Sequence, residues 1–403
     1  MRVLIMSTPA ASHLTVMVPL AWALRAAGHE IVVAGQPDIT GPAAAAGLST
    51  AVIGDLFDAT EAIRAKLPAG KRPNEAGRAQ ASGADTVTLV QPWLFHARYL
   101  TTFYLDFARQ WRPDLVISDP YEFSAAAVAG ILGVPLVHHR WDLHPVDDSA
   151  LGLARTVLGA RLARLGLDGE LPAPALVIDT APAALRLGPE DAQAVESGAP
   201  AGGPPVQPMR YVPYNGVASL PDWVQEPPGR PRVAVTFGAL TAELNGIPLY
   251  RAVIDAIGGL DGVEALVTLP DAHRAELGPV GPGVRVVSPL PLTLFLRTCD
   301  AVVHHGGTGS SLTAGALGVP QLILPQLGNE AVWAEQMAAT GAARAVTEPA
   351  LQNDPEVLRE ALTVLLSDGR YAAGARRLVE EMAAMPAPPR VVDGLERLVA
   401  GAA

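Results

Sequence analysis

The chain contains a single cysteine, Cys299, among 403 residues. One thiol cannot form an intrachain disulfide, so the composition fits a reducing compartment. No apolar run reaches the roughly 20 residues that span a bilayer. The opening stretch, which is followed by Pro9 and His13, is too short for the apolar region of a signal peptide. We therefore expect a cytoplasmic protein that does not bind a membrane, with Cys299 in its core.

Charged residues are also scarce, at 17%, and 40 acidic residues outnumber 29 basic ones. The formal net charge of −11 argues against nucleic acid or an anionic membrane surface as the main partner, and leaves a local basic site for a nucleotide open. Hydrophobic residues make up 49% of a chain too long for one ordinary core. The composition thus predicts a globular protein with two domains.

Two parts of the chain alternate short apolar runs with helical patterns. The first part opens with a strand, a helical pattern over 12–27 that ends at Gly28, and a second strand. Between the two parts, residues 199–230 are rich in proline and glycine, which indicates a linker. The predicted strands include 2–6, 29–34, 233–237, 265–268 and 284–287. This alternation predicts an α/β protein with two parallel, Rossmann-like sheets.

A glycine-rich turn stands between a predicted strand and a helix over 311–317. It reads H-H-G-G-T-G-S at positions 304–310, and a further strand follows at 321–324. Backbone N–H groups and the positive end of the helix converge at such a turn, and glycine lets the chain approach an anion closely. Either histidine can add a donor. The pattern predicts a phosphate site, although any βα turn uses glycine and serine.

His13 follows the first predicted strand, at the carboxyl edge of a parallel sheet, where ligands bind. Its imidazole could accept the proton of an attacking hydroxyl, and a structural or helix-capping role fits the position equally well. Asp119 follows a predicted strand at 114–118 and should lie at the same edge. There it could hold the imidazole, or it could simply form a turn before Pro120. Other candidate carboxylates are Asp142, Asp147 and Asp148.

The segment H-H-G-G-T-G-S, followed by G-V-P-Q-L-I-L-P-Q, resembles the donor-binding signature of nucleotide-sugar-dependent glycosyltransferases of the GT-B fold. Within that group, it resembles the transferases that act on macrolide, aromatic polyketide and other antibiotic aglycones. The stretch S-H-L-T-V-M-V-P-L-A-W-A-L-R-A-A-G-H-E-I and the segment V-P-Y-N-G extend the resemblance over nearly the whole chain. It implies two Rossmann-like domains that face each other across a cleft.

The resemblance also guides the expected domain organisation. Residues 1–205 should form an acceptor-binding domain, 206–230 the linker and 231–385 a nucleotide-sugar-binding domain. Residues 386–403 should form a helix that returns to the first domain.

The implied reaction is inverting, metal-independent transfer of a deoxysugar from a dTDP-sugar to a hydroxyl of a polyketide-type aglycone. In this family a histidine in the setting of His13 is the general base, and an acid at the position of Asp119 supports it.

His304, rather than His305, is expected to be the phosphate histidine. No Asp-x-Asp triplet lies near the turn. The N–H groups, His304 and the helix dipole should therefore replace a metal and any other cofactor. The predicted phosphate site comprises His304, Gly306, Gly307, Thr308, Gly309 and Ser310.

Other positions follow from the same resemblance. Gly238 should line the opposite wall of the donor cleft, and Pro289 and Leu290 should meet the nucleotide base. Many relatives carry tryptophan at the position of Pro289, so the choice between dTDP and UDP stays open. Asn329 and Glu330 stand where relatives have Asp-Gln and are expected to face the sugar, although they also suit a helix start.

The acceptor side is expected in the first domain. Aromatic residues from Trp93 to Phe107 have helical spacing and belong to the core by default, whereas Tyr121, Phe123 and Trp141 lie beside strand ends and are the candidate acceptor contacts. An O- or C-glycoside product, a homodimer and a helper protein all remain open. The alternative functions are a nucleotide-sugar epimerase and a nucleotide-sugar-binding auxiliary subunit.

Overall fold

The computed structural model describes residues 1–78, 86–143, 146, 148–186, 203–238 and 240–402. Asp147 and the first residues of the proline- and glycine-rich stretch, 199–202, lie outside the described part. In that part, no helix has both the length and the apolar character that a membrane span requires.

Seven parallel strands form the first sheet, in the order β3-β2-β1-β4-β5-β6-β7. The strands are β1 (Arg2–Met6), β2 (Glu30–Gly35), β3 (Thr50–Val52), β4 (Leu115–Ser118), β5 (Leu136–His139), β6 (Leu176–Asp179) and β7 (Val206–Pro208). The helices are α1 (Ala11–Thr15), α2 (Val18–Ala26), α3 (Pro37–Ala45), α4 (Ala59–Arg64), α5 (Thr86–Trp111), α6 (Phe123–Leu132) and α7 (Asp148–Leu165). Every residue of β4 is buried, as a short apolar strand in the middle of a parallel sheet requires.

Six parallel strands form the second sheet, in the order β10-β9-β8-β11-β12-β13. The strands are β8 (Arg232–Thr236), β9 (Glu264–Thr268), β10 (Val284–Val287), β11 (Ala301–His304), β12 (Gln321–Ile323) and β13 (Ala343–Ala345). The helices are α8 (Leu240–Glu243), α9 (Ile247–Gly258), α10 (Arg274–Leu277), α11 (Leu292–Phe295), α12 (Thr308–Leu317), α13 (Gly328–Ala339), α14 (Pro349–Gln352), α15 (Pro355–Ser367), α16 (Gly369–Ala384) and α17 (Pro388–Ala402). The prediction of two Rossmann-like sheets is therefore confirmed.

The strand order reverses beside the first strand of each sheet. In the first sheet β1 lies between β2 and β4, and in the second β8 lies between β9 and β11. Met6 is level with Ser118, and Thr236 is level with His304, so each central pair of strands ends at the same height. Ligands of open α/β sheets bind in the crevice outside the carboxyl ends at such a reversal.

The last helix, α17, packs against α2 of the first half. Val391 and Leu395 of α17 share a buried apolar cluster with Leu20 of α2. At the edge of this contact, His29 Nε2 lies 3.0 Å from Glu396 Oε1. The expected return of the C-terminal helix to the first half is confirmed.

The segment that joins the two sheets begins later than the expected linker. Residues 206–208, which were assigned to the linker, pair with β6 as β7. Beyond them, Tyr211 donates its hydroxyl to Gly309 O at 3.2 Å, and Asn215 Nδ2 donates to Thr313 Oγ1 at 3.1 Å. The segment that carries V-P-Y-N-G is therefore bonded directly to α12, the helix that starts at the glycine-rich turn.

Candidate active site

His13 lies in α1, directly after β1, and is 8% exposed. Its imidazole stacks on the Trp141 ring, with centroids 3.8 Å apart, and meets Trp93 edge-on at 6.3 Å. Burial lowers the pKa of His13, and the carboxylates of Asp119 and Asp142 oppose that shift. The histidine is therefore neutral near pH 7, which is the protonation state that a general base needs.

Asp119 is fully buried at the end of β4. Its Oδ2 accepts hydrogen bonds from Ser7 Oγ at 3.1 Å, from the Thr8 amide at 2.7 Å and from Thr8 Oγ1 at 3.1 Å. Its Oδ1 accepts from the Tyr121 amide at 2.9 Å. Thr8 Oγ1 also lies 2.5 Å from His13 Nδ1. The structure thus brings His13 and Asp119 to one sheet edge, with a threonine hydroxyl between them that sequence reasoning missed.

The glycine-rich turn follows β11 and opens into α12, whose first residue is Thr308. Gly306 has φ +91°, and a Cβ there would lie 3.1 Å from an Ile323 methyl and 3.2 Å from Glu330 O, so the position requires glycine. Thr308, Gly309 and Ser310 form the first turn of a ten-residue helix and are partly exposed. The first N–H groups of a helix have no partner within it, so this end can receive an anion.

The two neighbouring histidines of the turn have different surroundings. His304 is fully buried, its Nε2 is paired with Gln321 Oε1 at 2.8 Å, and its Nδ1 accepts from the Gly306 amide at 3.0 Å. The His305 side chain is 17% exposed, with Nε2 3.8 Å from Glu330 Oε1. Burial and the adjacent His304 lower the pKa of His305 to about 3. The geometry favours His305 over His304 as the ligand-facing histidine, the reverse of the choice made from the sequence.

Gly238, at the end of β8, makes room for the His305 ring. A Cβ at Gly238, where φ is +67°, would lie 2.8 Å from His305 Cε1, and one at Gly307 would lie 2.5 Å from His305 Nε2. Two glycines therefore frame the imidazole across the reversal between β8 and β11. Gly238 thus lies directly beside the turn, and its place on the opposite wall of a donor cleft stays a prediction.

Asn329 and Glu330 belong to the first turn of α13. Glu330 Oε2 accepts from the amides of Gln326 and Leu327, at 2.8 and 2.9 Å. Burial raises the pKa of Glu330 to about 8, and the Asp142 carboxylate of the first half adds to the shift. Glu330 Oε2 thus fixes the backbone of the loop before α13, while Oε1 lies towards His305. Asn329 is partly exposed beside it.

The loop after β10 carries the two residues expected to meet the base. Pro289 is exposed and Leu290 is partly buried against the cluster that contains Leu292. Ser288 Oγ donates to Asp271 Oδ1 at 2.9 Å, which links the loops that follow β9 and β10.

The aromatic candidates differ in exposure. Tyr121 and Phe123 are 2% and 3% exposed, which leaves them little surface for a ligand, and Tyr121 packs edge-on against Trp141 at 5.8 Å. Trp141 is partly exposed and covers one face of His13. Phe57, also partly exposed, lies 5.7 Å from Trp93 and extends the aromatic wall.

A segment of the first half reaches into the second half beside the turn. Arg72 is 1% exposed, and its guanidinium donates to Gln326, Gln352 and Asn353. Asn74, in the π-helical turn that follows, donates to Pro325 O at 3.1 Å. The loop that leads into α13 is therefore held from across the cleft.

Further contacts join α4 to α8, where Arg64 Nη2 pairs with Glu243 Oε2 at 2.7 Å.

Within the described ranges, no three His, Cys, Asp or Glu side chains gather in a way that could hold a metal ion. Asp148 is exposed at the start of α7.

Residues 22–238 match the N-terminal domain, and residues 251–398 the C-terminal domain, of the family described as erythromycin biosynthesis protein CIII-like. L-demethylnoviosyl transferase of Streptomyces niveus is 37% identical over 98% of this chain and 97% of its own length. For 10-deoxymethynolide desosaminyltransferase of Streptomyces venezuelae the identity is 33%, over 99% and 97%. The solved structure of the spinosyn rhamnosyltransferase SpnG complexed with thymidine diphosphate superposes with a TM-score of 0.83, at 34% identity over 98% of this chain and 100% of that one. The chain therefore belongs to the erythromycin biosynthesis protein CIII-like family and is a glycosyltransferase of the GT-B fold.

Proposed function

We propose that this enzyme moves a deoxysugar from a dTDP-sugar to a hydroxyl of a polyketide- or macrolide-type aglycone, with inversion at the anomeric carbon and without a metal ion. The observation that carries the proposal is that each sheet has functional side chains at the point where its strand order reverses. One holds a buried, neutral His13 tied to Asp119, and the other holds a glycine-rich helix start beside His305. The complex of a relative with thymidine diphosphate supports the choice of nucleotide.

The donor diphosphate binds at the start of α12. The amides of residues 307–310 lie at this helix start, and the His305 imidazole lies beside Gly307. The hydroxyls of Thr308 and Ser310 can add donors to the diphosphate. With the positive end of the helix dipole, these groups stabilise the charge that develops on the leaving diphosphate. Pro289 and Leu290 cover the base, and Asn329 with Glu330 Oε1 faces the sugar.

The transfer step is a single in-line displacement. The acceptor hydroxyl oxygen attacks the anomeric carbon and gives its proton to His13. The bond from that carbon to the phosphate oxygen breaks, and its electron pair leaves with the diphosphate. Asp119 stabilises the imidazolium that forms, as in other acid–histidine pairs.

The acceptor lies against the partly exposed aromatic rings of the first half. Trp141 covers His13, Trp93 lies at its edge and Phe57 continues the wall. Flat, apolar rings suit a polyketide-type aglycone because they bury its carbon skeleton and leave its hydroxyl to the imidazole.

The test is incubation with dTDP-sugars and a panel of aglycones, followed by mass analysis of the products. We expect one added deoxyhexose per aglycone, an unchanged rate in EDTA and slower transfer from UDP-sugars. His13→Ala is expected to abolish O-glycoside formation while thymidine diphosphate still binds. Full turnover by His13→Ala would reject the assigned base, and a strict need for a divalent ion would reject the metal-free reaction.

A further inference from the structure

The hydrogen bonds around Asp119 constrain the proton of the Thr8 hydroxyl. Asp119 Oδ2 receives three donors, the Thr8 amide among them, and Oδ1 receives the Tyr121 amide. Backbone amides can only donate, so both oxygens of Asp119 act as acceptors in these contacts. The Thr8 hydroxyl, 3.1 Å from Oδ2, is therefore the donor in that contact.

A threonine hydroxyl has one proton and can accept through its lone pairs. Since the proton of Thr8 points to Asp119, the short contact of 2.5 Å with His13 requires His13 Nδ1 to carry a hydrogen and to donate it. Neutral imidazole has only one N–H, so His13 Nε2 then bears the free electron pair.

We propose that Thr8 is a positioning residue that links His13 to Asp119 and holds His13 in the Nδ1–H tautomer, with Nε2 free to accept a proton. The catalytic meaning of this link depends on the function proposed above, but the tautomer itself does not. When Nε2 takes a proton, Nδ1–H remains bonded to the Thr8 oxygen, and the carboxylate stabilises the cation through the hydroxyl dipole.

The charged groups that face His13 come from two loops. Asp119 follows β4 and Asp142 follows β5, and both favour the protonated imidazole. Among the residues that the structure describes, the Trp93 and Trp141 rings also contact His13, and neither ring titrates. Removal of the Thr8 hydroxyl alone therefore leaves both carboxylates and the stacking in place.

The experiment compares Thr8→Val, which keeps the shape but not the hydroxyl, with Thr8→Ser, which keeps the hydroxyl. Nitrogen-15 NMR of histidine-labelled protein reads the tautomer, with the His13 signals assigned by their loss in His13→Gln. In the wild type we expect a protonated Nδ1 and an unprotonated Nε2 above the His13 pKa. In Thr8→Val we expect the tautomers to mix, and Thr8→Ser should restore the wild-type pattern.

Steady-state kinetics gives an independent result. Thr8→Val should lower kcat about 10- to 100-fold with little change in the donor KM, because one hydrogen bond to the developing cation is lost. The acid limb of its kcat/KM profile should move to lower pH, and Thr8→Ser should recover most of the rate. Wild-type His13 in the Nε2–H tautomer would overturn the proposal, whether or not any variant folds. A wild-type tautomer and pH profile in Thr8→Val would also overturn it. Absence of sugar transfer would reject the proposed function and leave the NMR result interpretable.

Discussion

Arg72 Nη1, in the first half, donates a hydrogen bond to Gln326 Oε1, in the second half, at 3.0 Å. The same nitrogen lies 3.0 Å from Gln352 Oε1, and Nη2 lies 2.8 Å from Asn353 Oδ1. Gln326 begins the loop whose amides are held by Glu330. The contact therefore ties the loop before α13, in the second half, to the first half.

Replacing Arg72 with methionine should destabilise the protein by about 3 kcal/mol, because buried amide oxygens lose their donor and Glu75 loses its counter-charge. Urea denaturation measures the free energy of unfolding. Arg109→Met is the matched control, since the Arg109 side chain is 54% exposed, and its cost should stay below about 0.5 kcal/mol. Equal losses in the two variants would contradict the assigned role of Arg72.

His305→Leu should weaken binding of thymidine diphosphate about 10-fold or more, because leucine has no donor for the diphosphate. Isothermal titration calorimetry measures the Kd. His304→Leu should instead lower the Tm, because it removes the hydrogen bonds of His304 to Gln321 and to the Gly306 amide in the core, and it should change the Kd less. The reverse ranking of the two Kd values would restore His304 as the phosphate histidine.

The sequence predicted two parallel sheets, though not their strand order, because buried parallel strands are continuous apolar runs and glycine marks the ends of helices. The single helix predicted over 12–27 is two helices in the structure, α1 and α2. Pro19, which lacks an N–H, lies in the first turn of α2 and prevents one continuous helix. At the turn, α12 begins at Thr308, three residues before the predicted start.

The contacts between distant side chains could not be predicted from the sequence. Arg72 and Gln326 are 254 residues apart, and no local pattern marks the pair. The choice between His304 and His305 could not be read from strand alternation either, because every residue of β11 is buried and both of its faces lie in the core. What separates the two histidines is that His304 pairs with Gln321 and with the Gly306 amide.

Glu330→Gln should remove a pH dependence of stability. The folded pKa of Glu330 is raised to about 8, from an ordinary value of 4.5, so the folded protein keeps a proton that the unfolded chain releases between these pH values. The contribution of Glu330 to the free energy of unfolding is therefore greatest near pH 4.5. It falls as the pH rises to 8, by at most about 1.4 kcal/mol per pH unit.

Urea unfolding from pH 5 to pH 8 tests this, with the glutamine variant as the reference for all other titrating groups. As the pH rises, the free energy of unfolding of the wild type should fall relative to that of Glu330→Gln. A difference that stays constant over the range would mean that Glu330 is already ionised in the folded protein.

The most direct measurement is a crystal structure of this enzyme with thymidine diphosphate. We predict the diphosphate oxygens within hydrogen-bond distance of the amides of residues 307–310 and of the His305 imidazole, across the cleft from His13. A nucleotide bound elsewhere, with the start of α12 left open to solvent, would contradict the account.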